Sequence, residues 1–375
     1  MNFELSDEQQ QLADAVRKML ASDYGFDARQ ATVRSDTGFS DRTWATFADM
    51  GLTALALPEA DGGFGGGALD LMATMEACGE ALVVEPLLDN IALGGRLVAR
   101  AGSAAQRAAL LPGLIDGTRR LALAYLEPGR RYAPDPQTTT ARSDGDGWVL
   151  DGAKCVVIGA PQAHTLLVSA RTDGGASLFD VDTTAPGVLL NPSRTADGQR
   201  CADITFSGVQ LCADALLGTA GGALPHIDEA LDFASALLCA DAVGAMRYAH
   251  EATLEYTKTR KQFGTPIASF QVLQHRMVDM FIQLEQSISM TYMADIKLSE
   301  PAPERAKGVS GAKVQIGKAC KFVGQNAIQI HGGMGMTDEM AIGHYFKRAT
   351  MIEGAFGSTD HHLARYESLS LGKAA

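Results

Sequence analysis

The sequence predicts a mainly α-helical protein with a central β-domain. Three observations carry the prediction. Apolar residues recur at helical spacing over roughly the first 120 residues and again from about residue 225 to the end. From about Leu121 to about Gly218, short apolar and β-branched runs alternate with turn residues, the pattern of strands. Gly221-Gly222 then marks the return to helix. The boundaries expected are a helical domain over 1–118, a β-domain over 119–224 and a helical domain over 225–375. Two or three domains suit a chain of 375 residues.

Taken in order, Ser6 followed by Gln9 forms a capping box ahead of Leu12, Val16, Met19 and Leu20. Ser40 opens a second helix carrying Trp44, Phe47 and Met50, with Gly51 as its stop. Asp61 to Gly67 is a glycine-rich loop, and a further helix runs from about Leu69 to Leu82. Asp144-Gly145-Asp146-Gly147 predicts a hairpin between Thr138–Arg142 and Trp148–Leu150. Strands continue at Val156–Ile158, Thr165–Ser169, Ala176–Val181 and Asp203–Phe206. Helices follow at about 226–262, 268–298, 304–328 and 338–348, and from about 358 onward.

Composition narrows the function classes. The formal net charge of -12 argues against non-specific binding to nucleic acid or to an anionic membrane. No apolar run approaches the roughly 20 residues of a membrane span. The start lacks a basic segment followed by an apolar one, so no signal peptide is read and a cytoplasmic protein is expected. Cysteines 78, 155, 201, 212, 239 and 320 have no zinc-type spacing and read as reduced thiols. Asp360-His361-His362 is not expected to bind metal, since adjacent helical side chains point about 100° apart. No Rossmann-type loop and no Ser or Cys nucleophile motif is present.

Three C-terminal segments carry a family resemblance. They are Tyr256 to Gln271, with Arg260-Lys261-Gln262-Phe263-Gly264 at its centre; Gln329-Ile330-His331-Gly332-Gly333-Met334-Gly335; and Tyr345 to Ser358. Leu57-Pro58-Glu59 with the following glycines is a weaker fourth. In this order they resemble the acyl-CoA dehydrogenase family. Phe270 to Arg276 and Gly357 to Leu363 are similar to the small subunits of pimeloyl-CoA dehydrogenase-type heteromers. The resemblance implies an N-terminal helical domain, a middle β-barrel-like domain and a C-terminal four-helix bundle. It also implies FAD, an acyl-CoA substrate, a homologous large subunit as partner and an electron-transferring flavoprotein as acceptor.

Within that family the first two segments hold the nucleotide half of a neighbouring subunit's FAD. By position this assigns Arg260, Gln262, Phe263, Gln271, Gln329, Gly332 and Gly333 to cofactor binding. The chemistry suits the role. Arg260 can pair with phosphate oxygens in bidentate fashion. Gly332 and Gly333 let backbone N–H groups approach an anion. Gln271 and Gln329 can both donate and accept.

The catalytic half departs from the family. A general base must take the α-proton. The family's usual glutamate slot holds Phe356, and the alternative slot on the first long C-terminal helix holds Ala234, with Ser235 beside it. Asp232 points about 160° away. Glu353 is the rival base, displaced by about 4.5 Å along a helix, and its alternative role is a structural carboxylate pairing with Lys347 or Arg348. The slots facing the flavin ring hold Leu126, Tyr132, Val156 and Ile158, with Tyr125 or Tyr132 as alternative contacts. These departures predict a half-site subunit. Two other readings are a self-sufficient homo-oligomer with Glu353 as base and a flavin-free structural or regulatory subunit.

Overall fold

The structure, a computed structural model, describes residues 5–372. Helices α1 (Asp7–Asp23), α2 (Phe26–Arg34), α3 (Asp41–Asp49), α4 (Ala68–Ala81), α5 (Arg96–Ala101) and α6 (Ala104–Ile115) come first. Strands β1 (Leu121–Ala124), β2 (Thr140–Asp144), β3 (Gly147–Ile158), β4 (Thr165–Thr172), β5 (Gly175–Asp182), β6 (Val188–Arg194), β7 (Arg200–Cys212) and β8 (Leu216–Leu217) follow. Then come α7 (Leu224–Thr259), a hairpin of β9 (Lys261–Gln262) and β10 (Thr265–Pro266), α8 (Gln271–Lys297), α9 (Ala302–His331), α10 (Ala341–Gly354) and α11 (Thr359–Ser370). The helical, β, helical order is the one expected. The chain forms two compact units, one from residues up to Arg29, Ala68–Val83 and Ser235 onward, the other from Gln30–Gly67 and Val84–Ala234.

In the first unit, α1 begins at the expected capping box, where Ser6 Oγ accepts from the Gln9 amide and the Gln9 side chain accepts from the Ser6 amide. Helices α4 and α7 cross backbone to backbone. A Cβ at Gly244 would lie 1.9 Å from the Glu76 carbonyl oxygen, and one at Gly79 would lie 2.0 Å from that of Asp241, so only glycine fits at either point. Arg247 reinforces the crossing by pairing with Glu76 at 2.8 Å and Glu80 at 2.9 Å. Beyond α4 the chain turns through Leu82 at φ 54, a left-handed conformation unfavourable to leucine. The carbonyls left free at that turn are satisfied from other helices. Arg29 Nε donates to Leu82 O at 2.9 Å, the Tyr345 hydroxyl to Glu80 O and Arg348 to Val83 O.

The second unit is built on one eight-stranded sheet of order β6-β7-β3-β2-β4-β5-β8, with β1 pairing parallel to β4. The predicted hairpin is present, with Asp144 paired to Gly147 across the two residues Gly145 and Asp146. β3 differs from expectation. Trp148–Leu150 and Val156–Ile158 lie on one 12-residue strand, because β7 pairs along its length through two register shifts. The sequence reading also has no counterpart to β6.

Beneath that sheet Lys154 Nζ, fully buried, pairs with Glu127 at 3.2 Å and donates to Tyr125 O and Ser169 Oγ. Glu127 also accepts from the amides of Gln137, Thr138 and Thr139, each at 2.9 Å. Burial alone would raise the Glu127 carboxyl, but those amides and the Lys154 charge hold it at about 2. Burial lowers Lys154 to about 8 against the pull of Glu127. The pair ties the segment after β1 to the sheet with its polar atoms satisfied.

Candidate functional site

The site begins where α7 ends. The Arg260 amide still donates to Tyr256 O at 2.8 Å, but its carbonyl accepts from Ile267, closing the β9–β10 hairpin. Phe263 and Gly264 form its tip at φ 53 and 79. Two consecutive positive φ values are those of a tight type I′ turn. Gly264 adopts one freely, whereas Phe263 is strained and 93% exposed. The ring therefore lies outside this chain's core.

At the far end of α9, Gly332 ends the helix at φ 62 and ψ -140, a region essentially reserved for glycine. A Cβ at Gly332 or Gly333 would meet nothing within 4 Å, so the space above both residues is open. Between the two helix ends lies a groove of about 400 Å³ lined by Arg260, Gln262, Gly332 and Gly333 together with Tyr256, His331 and Met334. Arg260 is exposed, and among the described residues it forms no ion pair.

Four of the seven cofactor residues assigned from sequence thus converge on one groove. Gln271 and Gln329 are exposed but lie outside the lining. Phe263 also lies outside it, with its ring edge-on to Phe270 at 6.1 Å rather than packed on an apolar face. Tyr256 and His331 were missed as site residues. Their rings stack at 4.2 Å, and the Tyr256 hydroxyl donates to His331 O at 3.3 Å, which ties α7 to the end of α9. His331 Nδ1 donates to Ala327 O at 2.8 Å, and burial lowers its pKa against the pull of that hydrogen bond. The available clue was spacing: Tyr256 precedes Arg260 by one helical turn.

The positions where a base was sought hold other structure. Ala234 is buried on α7, as are Asp232 and Ser235. Phe356 stands at φ 57 between α10 and α11, and its carbonyl accepts from His362 Nε2 at 3.2 Å. Burial and the Lys313 charge lower His362 to about 2, so it is neutral. Buried Lys313 donates to Ile352 O at 2.7 Å and Ala355 O at 2.8 Å, closing the C-terminal end of α10. Glu353 Oε1 accepts from the Thr359 amide. The expected partners of Glu353 are engaged elsewhere: Lys347 with Asp338 at 3.6 Å and Arg348 with Asp241 at 3.6 Å.

The positions that the resemblance sets against the flavin ring hold apolar and aromatic side chains. Val156 sits at φ 51 on the β3 bulge, 48% exposed, with its amide donating to Asp203 Oδ1. Leu126 engages Cys155 through its backbone. Tyr125 is buried, and burial pushes its hydroxyl pKa up. Tyr132 is half-buried. Among the described residues no cluster of His, Cys, Asp or Glu could hold a metal ion, and all six cysteines are free.

Family models for the acyl-CoA dehydrogenase N-terminal, middle and C-terminal domains match residues 6–118, 122–209 and 224–366. Acyl-CoA dehydrogenase fadE12 of Mycobacterium bovis is 31% identical over 384 residues, spanning 99% of this chain and 98% of the relative. The chain belongs to the acyl-CoA dehydrogenase family.

The human mitochondrial short-chain specific acyl-CoA dehydrogenase is 29% identical over 83% of this chain and 78% of its own length. Among solved structures, the Tcur3481-Tcur3483 steroid ACAD variant matches at 30% identity and TM-score 0.89, covering 98% of this chain and 99% of that one. The ChsE4-ChsE5 complex from Mycobacterium tuberculosis matches at 25% identity and TM-score 0.92 over the whole of both chains. As an acyl-CoA dehydrogenase the chain is an FAD-dependent oxidoreductase acting on the CH–CH bond of an acyl-CoA. The donor set of the groove, a guanidinium, an amide and two bare glycines, fits the anionic nucleotide half of FAD.

Proposed function

We propose that this chain is the small, half-site subunit of a hetero-oligomeric acyl-CoA dehydrogenase, organised as α2β2 with a homologous large subunit. The observation that carries the reading is the split within one unit. The two loops that the resemblance assigns to the nucleotide line one open groove, while the slot of the family's usual base holds Phe356 and the nearest acid in sequence, Glu353, caps a helix. In this reading Arg260, Gln262, Phe263, Gln271, Gln329, Gly332 and Gly333 reach FAD seated mainly in the partner. Arg260 neutralises pyrophosphate charge, the glycine amides point at its oxygens, and Phe263 gains cover on assembly.

Bound FAD supplies the two-electron acceptor for the β-hydride. The α-proton goes to a carboxylate of the large subunit, because neither Phe356 nor Ala234 can accept one. An electron-transferring flavoprotein then takes the electrons, as the family resemblance implies. A bulky or dicarboxylic acyl group is the substrate class. The steroid ACAD supports this reading for a bulky substrate, and the ChsE4-ChsE5 complex supports it for a two-component assembly. Six free thiols suit a cytoplasmic setting. Among the described residues no helix is long and apolar enough to cross a membrane.

The test is Arg260→Ala in the co-expressed complex. The reading expects an assembled heteromer with FAD well below one per heterodimer. Unchanged FAD content in an intact complex contradicts it and favours a subunit without a flavin role.

A further inference from the structure

The groove at the ends of α7 and α9 has two walls, one carrying Arg260 and the other the Gly332-Gly333 turn. The turn has little of its own to hold it. A Cβ on either glycine would meet nothing within 4 Å, and a glycine backbone is freer than that of any other residue. Both ends of the turn rest instead on His331. Gly332 follows it directly in the chain. Gly335 packs so closely against it that a Cβ there would lie 3.0 Å from His331 Cβ. The position of His331 therefore sets the position of the turn.

His331 is held from both helices. Within α9 its Nδ1 donates to Ala327 O at 2.8 Å. From α7 the Tyr256 ring stacks on it at 4.2 Å with 23° between the planes, and the Tyr256 hydroxyl donates to its carbonyl at 3.3 Å. The Tyr256 carbonyl in turn accepts the Arg260 amide at 2.8 Å. Tyr256 is thus bonded toward both walls, and it lines the groove between them. A pyrophosphate must meet the guanidinium and the glycine amides at the same time. A turn that drifts from that spacing lowers the apparent affinity by the fraction of time the walls are out of place.

We infer that Tyr256 is a positioning residue for the nucleotide half of FAD: through its stack on His331 and its hydroxyl bond it holds the Gly332-Gly333 turn at a fixed spacing from Arg260. The inference deepens the proposed function and rests on it for placing FAD in this groove.

The experiment is FAD titration of the flavin-stripped, co-expressed complex in a double-mutant cycle. Tyr256→Leu removes the stack and the hydroxyl bond, and is expected to weaken FAD about tenfold in an assembled complex. Tyr256→Phe keeps the stack and should stay within about threefold of wild type. Arg260→Ala is expected to cost at least about tenfold in wild type but no more than about threefold in Tyr256→Leu, because the two walls no longer act together. A merely structural Tyr256 would leave the cost of Arg260→Ala the same in both backgrounds, and that result overturns the inference. So does an FAD affinity in Tyr256→Leu within about twofold of wild type. Should Tyr256→Leu not assemble, His331→Leu removes the stack from the α9 side and is judged by the same numbers. Arg260→Ala without effect in wild type has a different meaning: it overturns the nucleotide role of the groove, and this inference with it.

Discussion

Glu353 accepts the backbone N–H of Thr359 through Oε1 at 2.9 Å. That bond joins the last turn of α10 to the first amides of α11, beside the Ser358 hydroxyl, which accepts from His361. Glutamine keeps a carbonyl oxygen in the same place but cannot act as a base. Glu353→Gln is therefore expected to leave the complex's turnover within about twofold, whereas loss of a true general base lowers it about 10²–10⁴-fold. Glu353→Ala removes the cap and is expected to lower stability by about 1 kcal/mol. Steady-state kinetics and thermal melts read the two effects separately.

Phe263 is strained and exposed at once. Phe263→Gly relieves the positive φ but adds freedom to the unfolded chain, and these effects nearly cancel. The melting temperature of the lone chain is expected to move by no more than a few degrees. Burying a phenylalanine on assembly contributes about 1.5–3 kcal/mol, so the same change is expected to weaken the complex roughly tenfold or more. Sedimentation of wild-type and variant mixtures with the partner measures the difference.

Asp295 on α8 is 5% exposed, and neither of its carboxylate oxygens has a hydrogen-bond partner. Burial first, and then the Glu76 charge, push it up to about 8. The folded state therefore holds a proton that the unfolded chain releases near 4. Its contribution to stability is fully present below the unfolded pKa and is lost as pH rises from about 4 through 8. Asp295→Asn, which mimics the protonated form, is expected to flatten that decline by at least about 1 kcal/mol. Urea unfolding between pH 5 and 9 checks this.

Removing Lys154 leaves Glu127 buried without its counter-charge. Lys154→Met is expected to destabilise the chain by about 3–5 kcal/mol. The depressed Glu127 pKa contributes stability that is present above about 4.3 and lost as pH falls toward 2. The variant should therefore begin acid unfolding at a higher pH than wild type, as followed by far-UV circular dichroism.

Local chemistry was legible in the sequence. The Ser6–Gln9 box, the Ser40 cap and the hairpin after Asp144 all formed as read, because each is decided by residues a few positions apart. The continuity of β3 was not legible, since Gly152 resembles a break until β7 pairs across it. For the site, the resemblance picked out Arg260, Gln262, Gly332 and Gly333, but the stacking of Tyr256 on His331 depends on two helix ends meeting. Glu353 shows the same limit. Its nearest cations in sequence were the natural partners to expect, yet tertiary packing sends Lys347 to Asp338 and Arg348 to Asp241.

The central claim, that this chain lends half of a shared flavin site, is tested most directly by counting flavin. The chain would be purified alone and after co-expression with a candidate large subunit, and FAD per polypeptide measured in each. The account predicts a colourless lone chain and about one FAD per heterodimer. FAD near one per chain in the lone protein would contradict it.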